Sequence, residues 1–197
     1  MRTSGRLRLL LRSGVIALAA LAALRLGGLA QPHVGAVSAQ AQTMPDCSQM
    51  PPVLQPATPA GYAVIDFTNA CGQQVPLAVD VATNSAEWQT GLMGISTLPP
   101  SQGELFDFAN ANGGQQVQLG FWMEDTPIPL SVAFVGIDGT LHEIQDMQPE
   151  TTDVHIPAQP YLYAIEANQG WFSENGIQPG SYVNLSAALT LAASPAH

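Results

Sequence analysis

No Lys occurs in this chain, and its five Arg (Arg2, Arg6, Arg8, Arg12 and Arg25) all lie within the first 25 residues. Residues 26 to 197 therefore hold all 15 Asp and Glu and no permanent positive charge. A domain folded from that stretch has no Lys or Arg for an ion pair; only His33, His142, His155 and His197 can become cationic. Any carboxylate it buries must be satisfied by backbone N–H, hydroxyls, amides, a metal ion or its own proton. The same asymmetry removes whole classes of function. Phosphate recognition works through Arg and Lys that displace counterions, so nucleic acid is not a partner. Docking on anionic lipid is disfavoured for the same reason. With no Lys or Arg against 15 acids, the stretch carries a formal charge of −15 at pH 7 (His neutral). Salt should stabilise it by screening that self-repulsion.

The Arg-rich start has its own reading. Four Arg precede the apolar run Val15 to Leu24, and small residues follow, with Val37-Ser38-Ala39 and Ala39-Gln40-Ala41 both suitable before a cleavage point. A charged start, a short apolar core and an A-x-A-like end predict a secretory signal over residues 1–39. The alternative is an uncleaved anchor, with Arg25 interrupting an apolar stretch that runs to Leu29. Ten apolar residues fall short of the roughly 20 a bilayer crossing needs. Export to the cell envelope or beyond is the expectation, with no stable membrane insertion after cleavage. In an oxidising compartment, Cys47 and Cys71, the two cysteines of the chain, read as one structural disulfide; two free thiols are the alternative.

Residues 40–60, rich in Pro, Gln, Ala and Thr, read as an extended linker. Residues 61–186 form one domain, and 187–197 trail off in small residues as a flexible tail. Within the domain, Tyr62 to Phe67 and Val75 to Val81 are apolar, β-branched runs on either side of a turn, which suits a hairpin. Asn84 followed by Glu87, with Gly91 at the stop, predicts a short helix over 85–90. Val117, Leu119, Phe121 and Met123 alternate with Gln118, Gly120, Trp122 and Glu124, the period of a strand. Leu130 to Ile137, Asp138-Gly139 and Thr140 to Ile144 spell a second hairpin. Tyr161 to Glu166 and Ser181 to Leu185 supply further strands. The expected fold is mainly β: a single antiparallel sandwich or barrel-like domain with one short helix.

Several ordered motifs then line up. Gly91-Leu92-Met93, Gly103-Glu104-Leu105-Phe106, and Phe121-Trp122-Met123-x-x-Thr126-x-Ile128-Pro129-Leu130 come first. The Phe134-x-x-x-Asp138-Gly139 hairpin follows, then Ile165-Glu166-Ala167-Asn168-Gln169-Gly170-Trp171, Gly176-Ile177 and Gly180. Over about residues 75–185 this pattern resembles the family called domain of unknown function 192. The resemblance implies a compact β domain, often exported, with no established activity. The family often places an Arg shortly after GLM and Lys-Asn after FWM; here those positions read Gly94-Ile95-Ser96 and Glu124-Asp125, so both cations are missing.

Met93, Trp122, Glu124, Asp125 and Glu166 are the candidate ligand-binding residues. Trp122 falls on the polar face of the alternating stretch, where an indole can be a stacking platform for a sugar, a peptide or an organic cation. Packing under a neighbouring strand is the alternative, and it is the stronger reading for Trp88 and Trp171. Glu166 shares a strand face with Leu162 and Ala164, so burial should raise its pKa unless several N–H groups point at it. It then serves either as a general acid or ligand hook near Trp122, or as a structural acceptor for the turn Asn168 to Trp171. His142, Glu143, Asp146, Asp153 and His155 are metal-ligand types, but they lack any compact metal spacing, and His142 and Glu143 alternate across a strand. No metal or cofactor is implied: there is no phosphate-cradling loop, dinucleotide fingerprint or G-x-S-x-G elbow.

Three functions follow as expectations. The first is an exported, non-catalytic binding module for a small neutral or cationic ligand, or a cell-surface partner, around Trp122. The second is an envelope-glycan hydrolase pairing Glu166 with Glu124 or Asp125. The third is a structural or adhesion module.

Overall fold

A computed structural model describes residues 46–109 and 113–194. The expected signal segment, the first residues of the linker and the last three of the tail lie outside the described residues.

The chain forms β1 (Ala63–Thr68), β2 (Gln74–Ala82), α1 (Ser85–Thr90), β3 (Gln102–Asp107), β4 (Leu130–Val135), β5 (Leu141–Met147), β6 (Tyr163–Asn168), α2 (Trp171–Glu174), β7 (Tyr182–Asn184) and α3 (Ser186–Ala192). The strands make one sheet in the order β5-β4-β6-β3-β2-β1-β7. Its two edges meet: Thr140, at the start of β5, bridges Tyr182 of β7, and Leu141 N–H donates to Ser181 O (2.8 Å). The sheet thus curls on itself, and of the two expected forms the barrel-like one is adopted rather than the two-sheet sandwich.

Both expected hairpins form. β1 pairs antiparallel with β2 from Ala63↔Val79 to Thr68↔Gln74, and β4 pairs with β5 across the Asp138-Gly139 turn. Gly139 has φ +80°, and an added Cβ would lie 2.8 Å from Val183 O, so only Gly fits where the hairpin tip meets β7. The helix over 85–90 is present as α1. Asn84 accepts from Ala86 N–H and Glu87 N–H, while Glu87 accepts from Thr83 N–H (2.6 Å). These bonds satisfy N–H groups that a helix start leaves without partners.

Three features depart from expectation. β2 and β3 run parallel, joined by the crossover that carries α1, so the sheet is mixed rather than wholly antiparallel. α3 (Ser186–Ala192) takes in residues 187–192 of the expected flexible tail, with Ala188 buried and Leu189 against the core. α2 is a further short helix. Its Trp171 and Phe172 make edge contacts with Phe67 at 5.6 and 5.8 Å.

The predicted alternating stretch at 117–123 is no regular strand. It is held by isolated bridges, Val117↔Tyr161 and Phe121↔His155. Phe121 and Met123 point inward and Trp122 outward as the alternation requires, but Leu119 is exposed. Cys47 and Cys71 form a disulfide, with Cα atoms 5.7 Å apart, that ties the Pro-rich segment to the β1–β2 turn. Among the described residues no helix is long and apolar enough to cross a membrane.

Strand alternation sorts the apolar side chains into two cores. One draws from all seven strands, including Phe67, Leu77, Leu105, Leu141, Ile165 and Val183, and fills the inside of the curl. The other lies on the outer face of β3, β4 and β6, with Phe106, Val132, Phe134 and Ala164 covered by Phe121, Met123, Trp88 and Leu92. The outer core is left incompletely closed.

Candidate functional site

Where α1 and its following turn face residues 119–126 across that outer core, a pocket of about 360 Å³ opens. Trp88, Phe106, Phe108, Phe121 and Trp122 make most of its wall; Met93, Thr126 and Glu166 also line it. The aromatic rings are packed, with Trp88 4.8 Å from Phe108 and Phe106 5.0 Å from Phe121 at 85°. Gly91 sits at the C-cap of α1 with φ +46°, and a Cβ there would lie 3.2 Å from the Phe106 ring. The helix end can rest on Phe106 because no side chain intervenes.

The acids of the site come from the sheet. Glu104 on β3 and Glu166 on β6 are register partners, with Cβ atoms of such opposed residues about 4.5–5.5 Å apart. They share the face of Phe106 and Ala164, under the pocket. Glu166 is 4 % exposed and Glu104 7 %. Desolvation, first, and then the negative charge of Glu104 raise Glu166 to about 8. Glu104 is raised to about 8 by desolvation, then by Asp80 and Glu87. Acids this close titrate as a pair, in steps that belong to both. No group among the described residues hydrogen-bonds either carboxyl, and none of the charged neighbours is positive.

Of the candidate residues, Met93, Trp122 and Glu166 meet at this pocket. Trp122 is 48 % exposed, on the rim, and is not covered by a neighbouring strand. Trp88 packs as expected, its indole N–H donating to Ala82 O (3.0 Å), yet it also forms pocket wall. Glu124 and Asp125 are exposed and do not line the pocket, so the expected pairing of Glu166 with either is not formed. Asp125 has φ +53°, and its carbonyl accepts from Gly94 N–H (2.7 Å), which fastens this turn to the one after α1.

Nor does Glu166 serve the turn that follows it. Gln169 N–H goes to Pro129 O and Gly170 N–H to Ser131 Oγ. The partner overlooked in the sequence is Glu104. Its signal was the alternation in Gly103-Glu104-Leu105-Phe106, which puts the acid on the Phe106 side.

Three of the five metal-ligand types are held separately, while His142 Nδ1 is buried without a hydrogen-bond partner among the described residues. Glu143 accepts from Gln145 Nε2 and Ala158 N–H, Asp146 accepts from Ser131 Oγ (2.6 Å), and His155 Nδ1 meets Gln145 Oε1. Among the described residues no three His, Cys, Asp or Glu come together as a metal site would require.

Fold and site together define a class: a small single-sheet barrel-like β domain with an aromatic pocket lined by one buried acid, Glu166, whose register partner is a second. The chain belongs to the family named domain of unknown function 192, described as "Uncharacterized ACR", whose profile matches residues 67–185. A crystal structure of a candidate transcription regulator from Sinorhizobium meliloti 1021 is similar at 26 % identity and a TM-score of 0.59, covering 66 % of this chain and 97 % of that one. A protein of unknown function from Novosphingobium aromaticivorans DSM 12444 is similar at 29 % identity and a TM-score of 0.58, covering 66 % and 93 %. A comparison with curated proteins finds no match. The motifs that carry the family resemblance, far apart along the chain, meet at the pocket through Gly91-Leu92-Met93, Phe106, Phe121-Trp122, Thr126 and Glu166.

Proposed function

We propose that this is an exported, non-catalytic binding domain that holds a small, largely apolar ligand in the pocket between α1 and residues 119–126. The observation that carries the reading is the pocket itself: about 360 Å³ walled by packed aromatics, with a single buried acid exposed to its interior. Apolar walls with a few convergent polar groups are the usual form of a small-molecule site. The half-exposed Trp122 at the mouth supports binding over a purely structural role, which would leave it covered. Export is supported by the Arg-rich, then apolar start of the chain and by the Cys47–Cys71 disulfide.

The hydrolase reading lacks a matching geometry. Glycoside cleavage places two carboxyls on either side of the scissile bond. Glu166 lines the pocket with Glu104 beside it on the same sheet face, and Glu124 and Asp125 stand outside the pocket.

The test is a titration of the protein with neutral aromatic probes such as 2-phenylethanol and indole, read by thermal shift and, for 2-phenylethanol, by tryptophan fluorescence. Saturable binding that Trp122→Ala weakens supports the proposal. No shift from any probe overturns it.

A further inference from the structure

Glu104 and Glu166 set a question the fold alone does not answer. Two buried acids sit opposite each other, like charges in such a position destabilise a sheet, and no donor is supplied to either. Three side-chain donors around the pocket are committed elsewhere, and Ser85, Gln89 and Trp122, which also line it, bond to neither acid. Thr126 Oγ donates to Glu124 O, Thr90 Oγ to Ala86 O, and the Trp88 indole to Ala82 O. Each element around the pair adds either nothing or more negative charge. β2 brings Asp80 and α1 brings Glu87. β4 places Val132 opposite Glu166, and the covering segment brings Phe121 and Thr126, while its Glu124 and Asp125 remain exposed. The phenol of Tyr62 is also near Glu104 and Asp80. Glu166 opens onto the pocket, and a Glu104 oxygen lies 3.9 Å from the Cβ position of the pocket-lining Gly91.

We infer that the pocket takes a ligand headed by a primary ammonium group, which donates to Glu166 with Glu104 as the adjoining acceptor while its apolar body lies among Trp88, Phe106, Phe121 and Trp122. The inference rests on the proposed binding role and adds the head group. An ammonium supplies the N–H donors and the positive charge that neither acid receives from the domain. The ring faces around it favour a cation as well. A divalent ion such as Ca²⁺ wants six or more oxygen ligands, and only two carboxyls are offered. A quaternary ammonium brings charge but no N–H.

The proton balance follows. The empty pair holds its protons at neutral pH; when the ammonium binds, one carboxyl proton leaves to solvent, the amine keeps its own, and no other bond forms or breaks. Affinity for the amine therefore rises with pH by up to about tenfold per unit below the midpoint of the pair and levels off above it.

The test is calorimetry on the protein from pH 6 to 9 with three probes: 2-phenylethylamine, its N,N,N-trimethyl derivative and neutral 2-phenylethanol. The inference expects the amine to bind at least about tenfold tighter than the alcohol at pH 8. It also expects about one proton released per amine, and an alcohol affinity that does not rise with pH. In Glu166→Gln the amine loses its advantage over the alcohol at pH 8, and the proton release on amine binding is lost. Equal binding of amine and alcohol overturns the ammonium head group and leaves the pocket reading standing; so does a trimethyl derivative as tight as the amine. Binding by none of the three overturns both, and Ca²⁺ alone binding more tightly than the amine overturns the head group.

Discussion

Glu104 and Glu166 occupy opposing positions of the β3–β6 ladder, on one face and buried together. On the far side of β3, Asp80 of β2 is paired with Glu104, so three acids stand in one row across three strands. A sheet without a single Lys or Arg accepts this arrangement by keeping protons on the buried two. Local rules broken in this way, beside a pocket, are where function is expected to concentrate.

Stability should fall as pH rises. In the folded state both acids hold protons to about 8, against 4.5 for an ordinary Glu. Between those values the native state binds protons that the unfolded chain has released. Stability therefore falls with pH across that window, and the loss levels off once the pair has titrated. Glu87 and Asp138, whose pKa values are lowered mainly by bonds from Thr83 N–H and Thr140 N–H, act oppositely and only in more acid solution. Thermal melts should give a midpoint higher at pH 5 than at pH 9. Glu166→Gln should flatten that slope and raise the midpoint at pH 9; an unchanged slope would remove Glu166 as its source.

Gly103→Ala should disrupt the sheet. An added Cβ would lie 2.2 Å from the backbone carbonyl oxygen of Glu166 and 3.2 Å from Leu77. The neighbour is backbone, so β3 and β6 must separate. The expected cost is about 3 kcal/mol or more, measurable by urea denaturation. A near-neutral result would mean the strands are not this close.

Reducing the disulfide should destabilise the domain more than its exposed position suggests. Cys47 and Cys71 are 24 residues apart, and closing a loop of that length contributes about 3 kcal/mol through the unfolded chain. The paired change Cys47→Ser and Cys71→Ser should lower the melting temperature by roughly 10 °C. A reductant should lower it for the native protein and not for the variant.

Trp122→Ala and Phe121→Ala should separate binding from stability. Phe121 is buried against Phe106 and Phe134, with ring centroids at 5.0 and 5.7 Å, and its loss should cost about 3–5 kcal/mol. Trp122, half exposed on the rim, should cost under about 1 kcal/mol. Chemical denaturation of both variants checks this. Equal costs would mean that Trp122 is a packing residue.

What could be read from the sequence follows the range of the forces involved. Local signals worked: Asn84 and Glu87 set α1, and Asp138-Gly139 set the second hairpin. Trp122 facing outward and Glu166 facing an apolar layer were legible from a period of two. The β2–β3 pairing was not, because a parallel pair depends on a long crossover rather than a turn. β3 itself was concealed by its composition, since Gln102-Gly103-Glu104 looks like a polar loop until Gly103 is seen to permit the close approach of β6. Without β3, Glu104 has no visible place beside Glu166, whereas Glu124 and Asp125 adjoin Trp122 in the sequence. From Ala187 on, α3 has the composition of a tail because its small residues have little to bury; Ala188 and Leu189 make its contacts with the core.

The central claim is that two neighbouring carboxyls stay protonated beneath the pocket at neutral pH. Carbon-13 NMR titration of the Glu side-chain carboxyls, assigned with Glu104→Gln and Glu166→Gln, measures this directly. Both resonances should titrate well above the ordinary Glu range, in coupled steps around pH 8. Midpoints of 4 to 5 for the two would contradict it.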